Sequence, residues 1–164
     1  MKATAVTLKL IASGILAWIS ARLGILFPVL MILMACMVID YVTGMLASKV
    51  EAIQHPQDPS YGWSSKKGSI GIAKKIAYLC VIAAAMMIDY ILLSVAVTIG
   101  IQIPNIRAFF GLLTAVWYIL NEILSIIENA GRMGADIPDW LRKHIAILKN
   151  KIDDTADGKV DKSE

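Results

Sequence analysis

The chain has 164 residues, of which 57% are hydrophobic, and its mean hydropathy is +0.66. A soluble single domain does not carry this proportion of apolar residues, so the composition excludes that class and indicates a small integral membrane protein. The net charge of +3 is modest, and no nucleic-acid partner is expected. Both cysteines, Cys36 and Cys80, lie inside apolar runs, and no disulfide or metal-ligand spacing is present.

The N-terminal segment has two interpretations. Residues 10–21 are uncharged and cover only about 18 Å as a helix, which is too short to cross a bilayer alone. One interpretation is an interfacial helix anchored by Trp18 and Arg22. The other is a short span that begins near Ala3 and lets Lys9 reach the membrane surface.

The first clear span is predicted over 23–47, an apolar run that meets Asp40 near its end. Residues 49–75 follow as a polar stretch rich in Pro, Gly and Ser, which predicts a loop. The next 52 residues, Ile76 to Ile127, contain only three charges and would be about 78 Å long as one helix. Gly and Pro residues within 98–107 break this run into a hairpin, so spans are predicted over 74–97 and 107–128.

The distribution of basic residues predicts the orientation. The 49–75 loop carries five lysines, whereas the 98–107 connection carries one arginine. The positive-inside rule therefore places the 49–75 loop in the cytoplasm, and the basic residues after the last span place the C-terminus there too. The cations expected at the membrane surface are Lys66, Lys67, Lys74, Lys75, Arg132, Arg142, Lys143 and Lys149.

The C-terminal region changes period. Apolar residues recur at helical spacing from Ile137 to Ile152, and the remaining positions are basic, which predicts an amphipathic helix over 138–152 on the cytoplasmic leaflet. Residues 153–164 are expected to be a polar, disordered tail. Their resemblance to a calcium loop is incomplete, because Thr155 stands at the third position, where Asp or Asn is usual. The predicted fold class is thus an all-α membrane bundle, with residues 1–152 as its membrane domain.

Acidic residues inside the spans are the most informative polar groups. A carboxylate at mid-bilayer costs several kcal/mol and usually faces another helix or water. Each acid either pairs locally and fixes helix packing, or lines a polar face used in self-association or conduction. For Asp89 we favour the second role, because no basic residue is expected within a span to neutralise it. The candidates for pore lining or assembly are Asp40, Asp89, Asn121, Glu122 and Glu128.

Small residues provide the candidates for helix packing. In lipid, helices approach closely through small residues spaced four apart. The positions with this character are Gly44, Ala77, Ala84, Gly111 and Ala115, and they predict a homo-oligomer. No nucleophile elbow, phosphate-binding glycine loop or metal-ligand pattern is present, so no catalytic residue, metal or cofactor is expected.

Three stretches carry a family resemblance. They are Met37 to Gly44 at the end of the first span, Ser64 to Lys75 entering the second, and Asn121 to Leu141 at the end of the third. In these stretches the chain resembles the phage-lysis and toxin-secretion holins, including the clostridial toxin-release group.

The resemblance implies a protein that accumulates in the bacterial cytoplasmic membrane, oligomerises and opens lesions. A phage endolysin or a large toxin then escapes through them, without necessarily contacting the protein directly. An antiholin partner is possible within such a family. Two alternatives remain open: the chain is itself an antiholin, or it is a small ion- or proton-conducting membrane protein that uses Asp89 or Glu122.

Overall fold

The computed structural model describes residues 2–101 and 108–156, and within these ranges every regular element is an α-helix. The helices are α1 (Lys2–Leu23), α2 (Leu26–Gln54), α3 (Ser65–Thr98), α4 (Phe109–Arg132) and α5 (Asp139–Ala156). This confirms the predicted all-α class. Most of the predicted 98–107 connection and the end of the tail, including most of the calcium-like pattern, lie outside the described residues.

Three helices are long and apolar enough to cross a membrane. Helices α2, α3 and α4 have 29, 34 and 24 residues. At 1.5 Å per residue they reach about 44, 51 and 36 Å, more than the roughly 30 Å of a bilayer's hydrocarbon core. The three long apolar helices of the predicted fold class are therefore confirmed. Helix α1 extends beyond the uncharged residues 10–21, but its strongly apolar part, Val6–Ile15, is shorter than a span.

The predicted 49–75 loop is mostly helical. Helix α2 continues through Gln54 and α3 begins at Ser65, which leaves only 55–64 as irregular chain. Ser64 caps α3, since its hydroxyl accepts a hydrogen bond from the Lys67 backbone N–H at 3.2 Å. The Lys67 ammonium also donates to the carbonyls of Ser60 and Gly62. These local bonds start the helix well before the apolar residues do, which is why the composition alone overestimated the loop.

Helix α4 is the centre of the bundle. It packs extensively against α2 and also against α3 and α5, whereas α2 and α3 touch each other little. The core between α2, α3 and α4 is formed by Leu26, Leu33, Met37, Ile82 and Ala115. Because α2 and α3 lie on α4 rather than on one another, space remains between them toward the 55–64 end.

The outer surface of the bundle is apolar. Large hydrophobic side chains such as Val38, Met87 and Val97 are 59%, 65% and 70% exposed. Helix α1 contacts only α2 among the described elements, so most of its apolar side chains are exposed as well. An apolar surface of this extent is unfavourable in water and suits contact with lipid.

Helix α5 packs along α4. Its apolar stripe faces α4 and buries Ile145, whereas Trp140, Ile147 and Leu148 remain exposed. The helix begins at Asp139 and continues to Ala156, so it is longer at its C-terminal end than the predicted 138–152 and takes in the start of the predicted tail. The amphipathic helix is therefore present, but α4 covers part of the stripe that was predicted to meet the leaflet.

Candidate functional site

An ion cluster joins the three long helices. The Lys75 ammonium on α3 lies 2.9 Å from an oxygen of Asp40 on α2, and it also bonds a carboxylate oxygen of Glu122 on α4. The three side chains are only 15%, 17% and 4% exposed, respectively. Each helix therefore contributes one charged group to a largely buried contact.

The register of the α2–α3 hairpin brings Asp40 and Lys75 together. Asp40 lies 14 residues before the end of α2, and Lys75 lies 10 residues after the start of α3. These separations correspond to about 21 and 15 Å along antiparallel helices, so the two residues reach a similar level. The prediction that Lys75 is a surface cation is wrong, because α3 begins early enough to carry Lys75 into the bundle.

Asn129 on α4 supports the cluster with neutral donors. Its amide nitrogen lies 3.0 Å from Asp40 Oδ1 and 3.2 Å from the Thr43 hydroxyl. A Cβ atom at Gly44 would lie 3.4 Å from this nitrogen, so the glycine lets α4 approach α2 closely. Two carboxylates share one ammonium here, and the amide of Asn129 offsets part of the remaining negative charge.

The network continues to the end of the bundle. Arg132 donates to the side-chain oxygen of Asn129 at 2.9 Å and makes two hydrogen bonds to Glu51, at 2.7 and 2.6 Å. Polar contacts therefore run without a break from Glu122 to the exposed end of α4. The roles of Asn129 and Glu51 were not predicted from the sequence. Helical spacing could have indicated them, because Glu51 lies on the same face of α2 as Asp40, and Asn129 lies on the same face of α4 as Glu122.

Asp89 lies in a separate site, about 21 Å along α3 from Lys75. Its two oxygens accept hydrogen bonds from the backbone N–H groups of Phe110 and Gly111, at 2.9 and 2.8 Å. These are the second and third residues of α4, whose own N-cap, Ala108, has no side chain that can cap. Asp89 thus caps α4 from a neighbouring helix and places its negative charge at the positive end of the helix dipole.

The other predicted polar residues lie apart from the ion cluster. Asn121 receives a hydrogen bond from Lys149 at 3.0 Å and donates weakly to the Tyr78 hydroxyl at 3.4 Å. The Lys149 ammonium also lies 4.3 Å from the centre of the Trp117 ring. Lys149 is therefore directed at α4, contrary to its predicted place at the membrane surface. Glu128 is exposed.

The remaining predicted surface cations are exposed side chains. They are Lys66, Lys67, Lys74, Arg132, Arg142 and Lys143. Their contact with a membrane surface stays a prediction.

The predicted packing residues divide into two sets. Gly111 and Ala115 are buried inside the bundle, where a Cβ at Gly111 would lie 2.8 Å from Met86. Ala77 and Ala84 are exposed on the outer face of α3. The close approach at Gly111 and Ala115 is therefore within one subunit, which corrects the expectation that all of these positions join subunits.

We expect Gly111→Leu to destabilise the single subunit. A side chain there would collide with Met86 and crowd the Asp89 carboxylate, and overpacking of this kind costs about 1–3 kcal/mol. Ala84→Leu introduces the same side chain on the exposed face and should leave subunit stability unchanged. Thermal unfolding of both variants in detergent measures the difference, and equal melting temperatures would contradict the internal role of Gly111.

Comparison with known proteins places the chain in a family. The model of the bacteriophage holin family matches residues 17–150. An uncharacterised protein of Halalkalibacterium halodurans is 37% identical over 142 residues, which are 87% of this chain and 93% of that protein. An uncharacterised protein of Listeria innocua is 37% identical over 123 residues, covering 75% and 73% of the two chains.

A third relative, an uncharacterised protein of Listeria monocytogenes, is 38% identical over 120 residues, or 73% of this chain and 71% of that protein. No solved structure matches the chain. The family match covers all three apolar helices, the ion cluster and the Asp89 cap. The chain therefore belongs to the bacteriophage holin family and is a multi-pass membrane protein of that type.

Proposed function

We propose that the protein oligomerises in the bacterial cytoplasmic membrane and opens lesions through which a phage endolysin or a large toxin leaves the cell. Membership of the holin family supports this function. The observation that carries the mechanism is the ion cluster of Lys75, Asp40 and Glu122, which concentrates charge in the three apolar helices. A lesion that passes hydrophilic cargo needs a hydrophilic lining, and these side chains can form one.

The single subunit keeps this lining closed. Lys75 neutralises much of the acidic charge, and α2, α3 and α4 turn the cluster inward, away from lipid. In an assembly the same inner faces can turn toward water, where the charged groups regain hydration. The transition therefore exchanges ion pairs within one subunit for hydrated charges along a shared lumen.

Subunits meet, in this proposal, through the outer face of α3. Ala77 and Ala84 are exposed there and are separated by seven residues, so they lie on one side of the helix. Small side chains permit two helices to approach closely in lipid, where packing is the main source of association.

The proposed orientation places 55–64 and the C-terminus in the cytoplasm and 102–107 outside. Lysines near 55–64 outnumber the basic residues of the opposite connection, which favours this orientation. Fusions of alkaline phosphatase and a cytoplasmic reporter after Trp63, Asn105 and Lys151 test it. We expect phosphatase activity only at Asn105, and activity at Trp63 would reverse the orientation.

Expression of this protein alone in a bacterium tests membrane permeabilisation. We expect the membrane potential to collapse and viability to fall abruptly after a period of accumulation. A variant with Lys75→Met, matched for membrane abundance by immunoblot, reports whether the ion cluster affects the time of onset. Normal potential and viability at high abundance would contradict a permeabilising role and favour an antiholin.

A further inference from the structure

A cavity of about 240 Å³, open to the surface, lies between α2 and α3 on the face of α4. It reaches from the 55–64 end of the bundle to Asp40 and Lys75 of the ion cluster. Exposed Lys67 and Trp63 stand at its outer end. The cavity exists because α2 and α3 both pack on α4 and scarcely touch each other.

The wall of the cavity carries several polar side chains at a level where the outer surface of the bundle is apolar. The hydroxyls of Ser48 and Ser125 line it, and neither has a hydrogen-bond partner among the described residues. Asn129 also lines the cavity, together with Asp40 and Lys75 of the cluster. On the outside of α2 at this level, Val42 is 43% exposed.

The volume of the cavity and the polar side chains of its wall indicate that it holds water. Liquid water occupies about 30 Å³ per molecule, so the cavity has room for about eight molecules. Unpaired hydroxyls and partly buried charges supply the several polar partners that each ordered water requires. An apolar occupant would leave both serine hydroxyls without a polar partner.

We propose that the cavity is a water-filled vestibule that brings bulk water from the 55–64 end to the Lys75–Asp40–Glu122 cluster within a single closed subunit. Water then stabilises the excess negative charge of the cluster before any assembly forms. The vestibule is a feature of the resting subunit, so its test does not depend on lesion formation.

Cysteine accessibility tests the vestibule in sealed vesicles from cells with low expression. Cys36 and Cys80 are first replaced by alanine, and single cysteines are introduced as Ser125→Cys, Ser48→Cys, Val42→Cys and Gln57→Cys. The probe is 2-(trimethylammonio)ethyl methanethiosulfonate, a charged thiol reagent that does not cross lipid. The vesicles are used in the orientation that lets the reagent reach Gln57→Cys in the exposed 55–64 segment. Intact mass reports the reaction rate.

We expect Ser125→Cys and Ser48→Cys to react within about tenfold of Gln57→Cys, because the thiolate forms in water and the reagent can enter. Val42→Cys lies on the outer face of α2, farther from the 55–64 end than Ser48, and is the depth-matched control for Ser125→Cys. It should react at least about a hundredfold more slowly, because an apolar surrounding suppresses the thiolate. If both serine positions react as slowly as Val42→Cys, the vestibule is dry. If Val42→Cys reacts as fast as the two serine variants, water reaches this depth by a route other than the cavity. Either result overturns the proposal.

A plug in the cavity provides a second test. Gly71 lines the cavity, and a Cβ built there meets no atom within 4 Å, so a side chain can begin there without a collision. Gly71→Leu should slow the reaction of Ser125→Cys at least about tenfold by displacing water, whereas Gly71→Ala should change it little. Gly68 is unsuitable for this purpose, because a Cβ there would lie 3.1 Å from the Tyr41 hydroxyl. An unchanged rate in Gly71→Leu would contradict entry through the vestibule.

Discussion

Replacing Lys75 with methionine is expected to destabilise the bundle strongly. The substitution leaves Asp40 and Glu122 close together in a largely buried site without their shared cation. Removing one partner of a buried ion pair costs about 3–5 kcal/mol, because the remaining charges lose their counter-ion in a largely buried site. At this chain length the melting temperature should fall by roughly 10 °C, measured by thermal unfolding in detergent.

The neighbouring lysine provides a matched control. Lys74→Met removes the same charge and adds the same side chain at an exposed position, so it should leave the melting temperature nearly unchanged. Combining Lys75→Met with Asp40→Asn and Glu122→Gln should recover most of the lost stability, since a neutral set of similar shape has no unpaired charge. A Lys75→Met protein as stable as Lys74→Met would show that the cluster does not hold the bundle together.

Replacing Asp89 with asparagine is expected to loosen α4 from α3. Both carboxylate oxygens accept backbone N–H groups, whereas an asparagine has one acceptor oxygen and turns its amide donors toward the other N–H. One buried N–H of α4 then loses its partner, which costs about 1–3 kcal/mol. Amide hydrogen exchange should accelerate in the first turn of α4.

The comparison for this change is Ser94→Asn, which introduces the same side chain at an exposed position of α3. It should leave exchange at Phe110 and Gly111 unchanged. If Asp89→Asn also leaves exchange and unfolding at their wild-type values, the cap contributes nothing measurable. A shift in lysis time at unchanged stability would instead favour a direct role of the Asp89 charge in opening.

The spans were predictable because their signal is local. A run of about 20 apolar residues has no other stable place, and the Gly and Pro residues of 98–107 leave a hairpin as the remaining arrangement. The boundaries near the polar loop were less predictable. Ser64 and Lys67 extend α3 through hydrogen bonds that composition does not report.

The partners of the acidic residues were not predictable from composition, because they depend on register between helices. Lys75 stands at the edge of the predicted span, and only the early start of α3 brings it level with Asp40. Counting residues from both ends of the 55–64 connection would have suggested this pair. The sequence signal for the role of Asp89 was weaker. Helix α4 begins at Phe109 with Ala108 as its N-cap, where Ser, Thr, Asp or Asn would be usual, so a cap from another helix was to be expected.

The small residues of α3 and α4 show what helical periodicity in the sequence cannot predict. Sequence spacing treated Ala77, Ala84 and Gly111 alike, yet the first two are exposed and the last is buried. Periodicity along one helix does not say which neighbour covers a face, because that depends on where the other helices pack.

Escape of folded proteins from the cytoplasm tests the central functional claim most directly. The cells contain this protein and two soluble cytoplasmic reporters, one the size of an endolysin and one several times larger. After induction, the membrane potential is recorded. Reporter activity in the medium is measured after gentle removal of the cell wall. We expect at least the smaller reporter to appear in the medium when the potential collapses. Collapse of the potential with both reporters retained would contradict it and identify an ion-conducting protein instead.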